Sequence, residues 1–229
     1  MIYIDTEYSG FFSYSEEKSG ELLQIALVTE TNFLSTYLAP ERPEKWSKQA
    51  EAVHGISKKE ALLNPTPAIA ALRLKGFLEG LTEVHTPVGF NCRGDAQYLS
   101  RFCSKWELTY EWKRKIRPDW IDLIKLGDGL PIKNKKLETM CEHFGIHYDF
   151  HDALADARAT KDLHGHLAVL NKQKQKEFPI NDPFEKRLQY LTDEYVTIDP
   201  GGFITIRQKA IQNPDILKVV LDEIAERFF

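Results

Sequence analysis

The chain has 229 residues, 42% of them hydrophobic and 28% charged, which is an ordinary composition for a globular protein. This composition excludes a largely disordered chain, and no apolar run approaches the roughly 20 residues that a membrane-spanning helix needs. The N-terminal residues include two acids and no basic region, so we expect no secretory leader. The three cysteines form no CxxC pair, which is typical of buried thiols and predicts a reducing, cytoplasmic location. Because no apolar run is long enough to span a bilayer, no membrane attachment is expected.

The first half of the chain predicts a sheet that is followed by helices. Apolar alternation over residues 1–7, 21–29 and 32–38 predicts three strands of an antiparallel meander. Helical spacing is present over 44–54, 67–81, 95–108, 136–144 and 153–170, a strand is predicted over 84–90, and 121–126 fits either structure. Strands that are followed by alternating strands and helices indicate an α/β domain with a mixed sheet.

The polar stretch Asn171–Lys176 predicts a domain boundary. We therefore expect a main domain over 1–170, a linker over 171–182 and a small α+β extension over 183–229. The extension contains a predicted helix over 184–191, a hairpin around 199–202 and an apolar helix after Asn213-Pro214. About fifty residues seldom fold alone, so the extension is expected to dock on the main domain, on a second copy or on a partner protein.

The charges are unevenly distributed along the chain. The formal net charge is −4, yet residues 101–136 hold ten basic and five acidic residues, a net charge of +5. An anion-binding surface and an ordinary solvated surface both explain this excess, and both interpretations stay open. The basic side chains that could follow a phosphate backbone are Lys113, Arg114, Lys115, Arg117, Lys133, Lys135 and Lys136.

Four acids and one histidine lie where predicted elements begin or end. Asp5 and Glu7 project from the same face of the first strand, because they are two residues apart. Asp95 begins a predicted helix. Asp156 lies among alanines in the predicted helix over 153–170, and His151 lies five residues earlier, in the loop before that helix. Each acid alone is explained by exposure or by helix capping. Adjacent carboxylates repel each other, and a divalent cation would relieve that repulsion.

The combined pattern resembles the three motifs of the DEDDh 3′-to-5′ exonucleases, a family that includes ribonuclease T and the proofreading epsilon subunit of bacterial replicases. The resemblance covers residues 1–170 and rests on Asp5-Thr6-Glu7, on the strand residues 24–26, on Val53-His54-Gly55-Ile56 and on the segment 151–160. The second motif departs from the family pattern His-Asn-x-x-Phe-Asp, because residues 90–95 read FNCRGD. Phe90 stands in place of the usual His, and Gly94 stands in place of the usual Phe. The position at which tyrosine would mark the sister DEDDy group is an aspartate.

The resemblance implies an RNase H-like fold and two divalent ions, Mg²⁺ or Mn²⁺. It assigns Asp5, Glu7, Asp95 and Asp156 as metal ligands, and His151 as the general base. A neutral imidazole can accept a proton near pH 7, which suits this role. The expected product is a nucleoside 5′-monophosphate.

The predicted contacts with the terminal nucleotide are Thr6, Tyr8, Phe11, Asn91 and His54. Phe11, Phe12 and Tyr14 could stack on bases, although packing among the aromatic residues of the loop is favoured for Phe12. His54 could also be a structural histidine. The expected substrate is a nucleic acid with a free single-stranded 3′ end. DNA is favoured because the Asp-Thr-Glu form of the first motif resembles the DNA-acting members. An RNA-trimming enzyme and a subunit that docks through the extension are the alternatives.

The pair His164 and His166 forms an HxH pattern, which is a potential metal motif. Residues two apart on a helix point about 200° from each other, so these side chains are not expected to share a zinc ion.

Overall fold

The computed structural model describes residues 1–13, 19–128, 130–149, 151–177, 196–198 and 204–206. The chain divides into two compact units, Met1–Asn171 and Lys172–Phe229. No helix within these described ranges has the length and apolar character to cross a bilayer.

The first unit is built on a five-stranded sheet. Its strands are β1 (Ile2–Tyr8), β2 (Leu22–Val28), β3 (Phe33–Tyr37), β4 (Pro87–Gly89) and β5 (Ile121–Asp122). They lie in the order β3-β2-β1-β4-β5, with β1, β2 and β3 antiparallel and with β4 and β5 parallel to β1. The predicted meander and the predicted mixed sheet are therefore confirmed.

Eight α-helices surround or follow these strands in the described ranges. They are α1 (Lys48–His54), α2 (Lys58–Ala61), α3 (Pro67–Gly80), α4 (Arg93–Lys105), α5 (Thr109–Lys115), α6 (Leu123–Leu126), α7 (Leu137–His143) and α8 (Ala153–Glu177). The ambiguous segment 121–126 contains both structures, since β5 is followed directly by α6. Helix α8 continues past its predicted end at residue 170 to Glu177, because lysine and glutamine are good helix formers. The first residues of the expected linker are therefore helical.

Two hydrophobic cores lie on opposite faces of the sheet. Ile2 and Ile4 of β1 belong to the core that contains residues of α3 and α4. Tyr3 belongs to the second core, with Ala153 and Ala157 of α8. Successive side chains of a strand point to opposite faces, so this alternation places Asp5 and Glu7 on the α8 side of β1 and Thr6 on the α4 side.

The second unit contains two described strands, β6 (Val196–Ile198) and β7 (Ile204–Ile206). They pair antiparallel, with Thr197 opposite Thr205, as the predicted hairpin requires. The helices predicted over 184–191 and after Asn213 lie outside the described residues.

Candidate active site

Three predicted carboxylates meet at the end of the central strand β1. One oxygen each from Asp5, Glu7 and Asp156 lies within 4.8 Å of the others. The strand supplies two of these acids on one face, and the N-terminal turn of α8 brings the third against that face. Three carboxylates provide the hard oxygen ligands that divalent cations such as Mg²⁺ and Mn²⁺ prefer. The donor set therefore fits a divalent metal.

Small side chains allow α8 to approach the sheet closely. Ala26 of β2 lies opposite Asp5 in the strand pairing, and it is fully buried with Ala153 and Ala157 of α8. Methyl groups on both sides let the two backbones come near each other. The alanines that surround Asp156 in the sequence thus have a structural role, because they deliver its carboxylate to the strand.

Asp95 reaches the same strand end from the other face of the sheet. It is the third residue of α4, it is buried, and it does not cap the helix as sequence reasoning had allowed. Instead, its carboxylate accepts a 2.6 Å hydrogen bond from the hydroxyl of Thr6. The second motif is thereby attached to the first, although Asp95 lies outside the group of three clustered oxygens.

Burial and mutual repulsion raise the pKa of the acids in this set. Burial raises the pKa of Asp5 well above its usual range, and the charges of Asp95, Glu7 and Asp156 raise it further. For the same two reasons, the pKa of Glu7 is raised to about 8. Burial raises the pKa of Asp95 to about 6 and that of Asp156 to about 6. Without a cation, the cluster therefore holds protons at pH values where isolated carboxylates have lost them.

His151 lies in the loop immediately before α8, as predicted. Its side chain is exposed, and its backbone has a φ of 67°, in the left-handed region that is unusual for a residue with a side chain. The backbone N–H of His151 donates a hydrogen bond to the carboxylate of Asp156, and the hydroxyl of Tyr148 donates another. Sequence reasoning missed Tyr148, since a tyrosine eight residues before the acid belongs to none of the quoted motifs.

His54 ends α1 and lines an open pocket that also includes His151. The other polar residues that line this pocket are Tyr37, Glu60, Asn64 and Asp152. His54 is only 5% exposed, and its Nδ1 accepts a 3.0 Å hydrogen bond from the backbone N–H of Ile56. Its Nε2 therefore carries the proton, because Nδ1 acts as the acceptor. This Nε2 has no hydrogen-bond partner within the part of the chain that the structure describes.

The other predicted nucleotide contacts are spread around the cluster. Phe11 is 70% exposed, whereas the ring of Phe12 packs edge-on against Tyr98. Phe12 is therefore packed, although its partner lies on α4 and not within its own loop. Tyr8 stacks on the same Tyr98 ring, with 4.5 Å between the ring centroids. Tyr14 lies outside the described residues.

Thr6 and Asn91 also occupy defined positions. Thr6 is buried, and its hydroxyl is directed to Asp95, so the nucleotide contact predicted for it stays a prediction. Asn91 follows β4 with a φ of 52° and is exposed, and its backbone N–H donates a 2.8 Å hydrogen bond to Asp122. Its side chain is accessible at this end of the sheet.

Local contacts engage part of the basic set from 101–136. Lys115 donates to the carbonyl of Leu81, and Lys135 pairs with Asp128. The guanidinium of Arg114 lies 5.4 Å from the ring centroid of Tyr110. These contacts agree with the ordinary-surface interpretation for the three basic residues concerned.

The two histidines of the HxH pair have different partners. Nδ1 of His164 lies 3.1 Å from the hydroxyl of Tyr3, whereas His166 stacks on the ring of Phe144. The only group of metal-ligating side chains found among the described residues is the carboxylate cluster on β1 and α8.

The structure thus combines a mixed α/β sheet with a cluster of acids on its central strand that fits a divalent metal. Residues 2–163 match the RNase T family model, which is described as exonuclease, and the chain belongs to this family. The predicted family and enzyme class are therefore confirmed. Divalent metal ions are part of the chemistry of this family, and the acidic cluster is present in the chain.

Solved exonucleases share the fold. The structure of E. coli exonuclease I in complex with a dT13 oligonucleotide is 18% identical with a TM-score of 0.60, over 77% of this chain and 42% of that chain. The nuclease domain of 3′hExo, a DEDDh family member bound to rAMP, is 18% identical with a TM-score of 0.56, over 75% of this chain and 91% of that chain. The match thus spans less than half of exonuclease I. The predicted RNase H-like fold is confirmed by these structural matches. A search of curated protein sequences gives no significant match.

The raised pKa values predict that metal stabilises the fold more as the pH rises. The acids ionise near pH 4 in the unfolded chain, but near pH 6 for Asp95 and Asp156 and near pH 8 for Glu7 in the folded chain. Their contribution to stability is complete below about pH 4 and is lost as the pH rises through 6 and 8. A bound divalent cation would offset the repulsion between the ionised carboxylates.

We therefore expect Mg²⁺ to raise the thermal unfolding temperature above its value in EDTA by several degrees at pH 8.5 and by little at pH 5. Differential scanning calorimetry at both pH values measures this difference directly. An equal Mg²⁺ effect at pH 5 and pH 8.5 would contradict the prediction.

Proposed function

We propose that the chain is a metal-dependent 3′-to-5′ exonuclease that releases nucleoside 5′-monophosphates from single-stranded ends. The observation that carries this proposal is the convergence of Asp5, Glu7 and Asp156 within 4.8 Å, with the loop of His151 attached to Asp156. Family membership over residues 2–163 supports the same conclusion independently.

Asp5, Glu7, Asp95 and Asp156 would hold two divalent cations, Mg²⁺ or Mn²⁺. When bound, such cations supply charge stabilisation for the attacking hydroxide and for the departing 3′ oxygen. The position of Asp5 between Glu7 on its own face and Asp95 at the same strand end favours it as the shared ligand. Thr6 holds the carboxylate of Asp95 in place through the 2.6 Å hydrogen bond.

His151 would accept the proton of the attacking water. Two observations support this role: its side chain is exposed, and its backbone N–H binds the carboxylate of Asp156. A general base within reach of the nucleophile increases the rate by roughly 10²–10⁴-fold.

Three residues favour contacts with the terminal nucleotide. The exposed ring of Phe11 provides a stacking surface. The Nε2–H of His54 is buried and has no partner among the described residues, so a nucleotide that enters the pocket would supply the missing acceptor. Asn91 presents an amide at the same end of the sheet, and Tyr8 and Thr6 complete the proposed set. Alanine variants of Phe11 and His54 should raise KM in the assay below more than they lower kcat.

We favour single-stranded DNA over RNA. The solved neighbour exonuclease I was bound to a dT13 oligonucleotide, which supports DNA, whereas 3′hExo was bound to rAMP, which supports the alternative of RNA 3′-end trimming. A subunit that docks through the extension, as a homodimer or with a partner protein, stays an alternative. The cytoplasmic location stays a prediction. Size-exclusion chromatography of the full chain and the activity of a chain truncated at Asn171 test the docking alternative. A monomer with unaltered activity after truncation would oppose it.

The decisive assay uses 5′-labelled single-stranded DNA and the same sequence as RNA. Each polymer is incubated with Mg²⁺, Mn²⁺ or EDTA, beside an Asp156→Ala control. We expect a metal-dependent ladder that shortens from the 3′ end, is absent in the control and is faster for DNA. Absence of cleavage of both polymers with both metals would contradict the proposed function, and faster cleavage of RNA would reverse the substrate preference.

A further inference from the structure

Gln24 is a polar residue in the middle of a strand whose other side chains are apolar and buried. It is 1% exposed, and it lies directly opposite Glu7 in the pairing of β1 with β2. Directly paired residues of antiparallel strands project on the same face, so the Gln24 amide is a neighbour of the carboxylate cluster. A buried amide needs partners for both its donor and its acceptor.

Both ends of this amide bind the junction between the His151 loop and α8. Oε1 of Gln24 accepts a 3.1 Å hydrogen bond from the backbone N–H of Ala153. Its Nε2 donates a 2.9 Å hydrogen bond to Oδ2 of Asp152. One side chain on β2 therefore fixes the two residues that directly follow His151.

Asp152 in turn binds the first turn of helix α8. Its Oδ1 accepts from the backbone N–H groups of Leu154 and Ala155, both at 3.1 Å, which caps the first turn of α8. Its Oδ2 also accepts a 2.6 Å hydrogen bond from the hydroxyl of Tyr37 on β3. The loop residue His151 meanwhile has the left-handed φ of 67°, a conformation that persists only where surrounding contacts impose it.

We propose that Gln24, through Asp152, is a positioning residue that holds the His151 loop and the start of α8 in the geometry required for catalysis. Tyr37 assists by binding the same carboxylate oxygen. This role rests on the proposed function, since it concerns the general base and the metal ligand Asp156 of that reaction. Gln24 itself touches no reacting atom.

A reciprocal exchange of the two side chains tests the proposal. Gln24→Glu places a carboxylate against the Asp152 carboxylate, and Asp152→Asn places an NH₂ group against the Gln24 NH₂ group. In the double variant, the introduced asparagine would donate to the introduced glutamate, which would still accept from the backbone N–H of Ala153. The oxygen of the asparagine would still cap α8, since asparagine caps helices as well as aspartate does. The double variant also has the same net charge as wild type.

We expect each single variant to lower kcat by about 10–100-fold at saturating Mg²⁺, with KM for the oligonucleotide changed far less. The double variant should recover to within a few-fold of wild-type kcat. A merely structural role would not produce this recovery together with the selective effect on kcat. Wild-type kcat in Gln24→Glu, or a double variant as slow as the single variants, would overturn the proposal.

A milder pair of variants keeps the test informative if a buried substitution prevents folding. Tyr37→Phe removes only the hydroxyl from a half-exposed ring and should lower kcat several-fold. Tyr3→Phe is the matched control, because it removes a hydroxyl that binds His164 of α8 away from the cluster. Equal kcat in both tyrosine variants would overturn the proposal. If the wild-type chain cleaves no polymer, the proposed function fails first, so the two failures are distinguishable.

Discussion

An Asp5→Asn variant is expected to lose roughly 10³-fold or more in kcat and, in EDTA at pH 8, to unfold at a higher temperature than wild type. Asp5 is central to the site, because burial and the charges of Asp95, Glu7 and Asp156 all raise its pKa. The amide would remove the negative charge on which metal binding depends. It would also relieve the repulsion that destabilises the metal-free fold.

Two measurements together test this expectation. Single-turnover cleavage of labelled DNA gives the rate loss, and calorimetry in EDTA gives a gain of a few degrees if about 1 kcal/mol of repulsion is relieved. Addition of Mg²⁺ should raise the unfolding temperature of wild type and leave that of the variant nearly unchanged. The control is Asp119→Asn, the same substitution at an exposed acid. A variant with wild-type activity, or with a lower unfolding temperature in EDTA, would contradict this account of the cluster.

A His151→Asn variant is expected to lose about 10²–10⁴-fold in kcat while it retains its affinity for Mg²⁺. Asparagine is the suitable replacement, because it tolerates the left-handed backbone that His151 adopts, with a φ of 67°. The variant therefore removes the imidazole without adding backbone strain. Its metal ligands remain in place, so its Mg²⁺-dependent stabilisation should match that of wild type.

The matched control is His147→Asn, at an exposed histidine four residues earlier in the chain. Added imidazole should partly restore cleavage by His151→Asn, since a free base can replace a missing one. A small loss of kcat in His151→Asn would show that another group accepts the proton. A loss of Mg²⁺ stabilisation in the same variant would instead assign His151 to the metal site.

The strands, the main helices and the identity of the clustered acids could be predicted from the sequence. Apolar alternation and helical spacing report which face of an element is buried, and this information is local. The two short helices α2 and α5 were not predicted, because a helix of a few residues carries too little periodicity. The predicted end of α8 was wrong, because polarity and helix propensity conflict over residues 171–177.

In the candidate active site, too, local features could be predicted from the sequence and long-range contacts could not. The spacing of Asp5 and Glu7 already placed them on one face of a strand, and the alanines around Asp156 already indicated close helix packing. The attachment of Asp95 to Thr6 could not be predicted, because these residues are 89 positions apart in the chain. The polar Gln24 within an apolar strand was the one local signal for the network around His151. Its partners Asp152 and Ala153 lie 128 and 129 positions away.

The sequence by itself determined the fold class, the family and the set of acids that carries the chemistry, because each is encoded in residue types at short spacing. Only the tertiary structure decided which of these acids share one cluster, what orients His151 and which nitrogen of His54 carries the proton in the neighbouring pocket. Those properties depend on hydrogen bonds and close approaches that the folded backbone creates. Such contacts are selected by the packing of the whole sheet against its helices, and local sequence patterns do not record them.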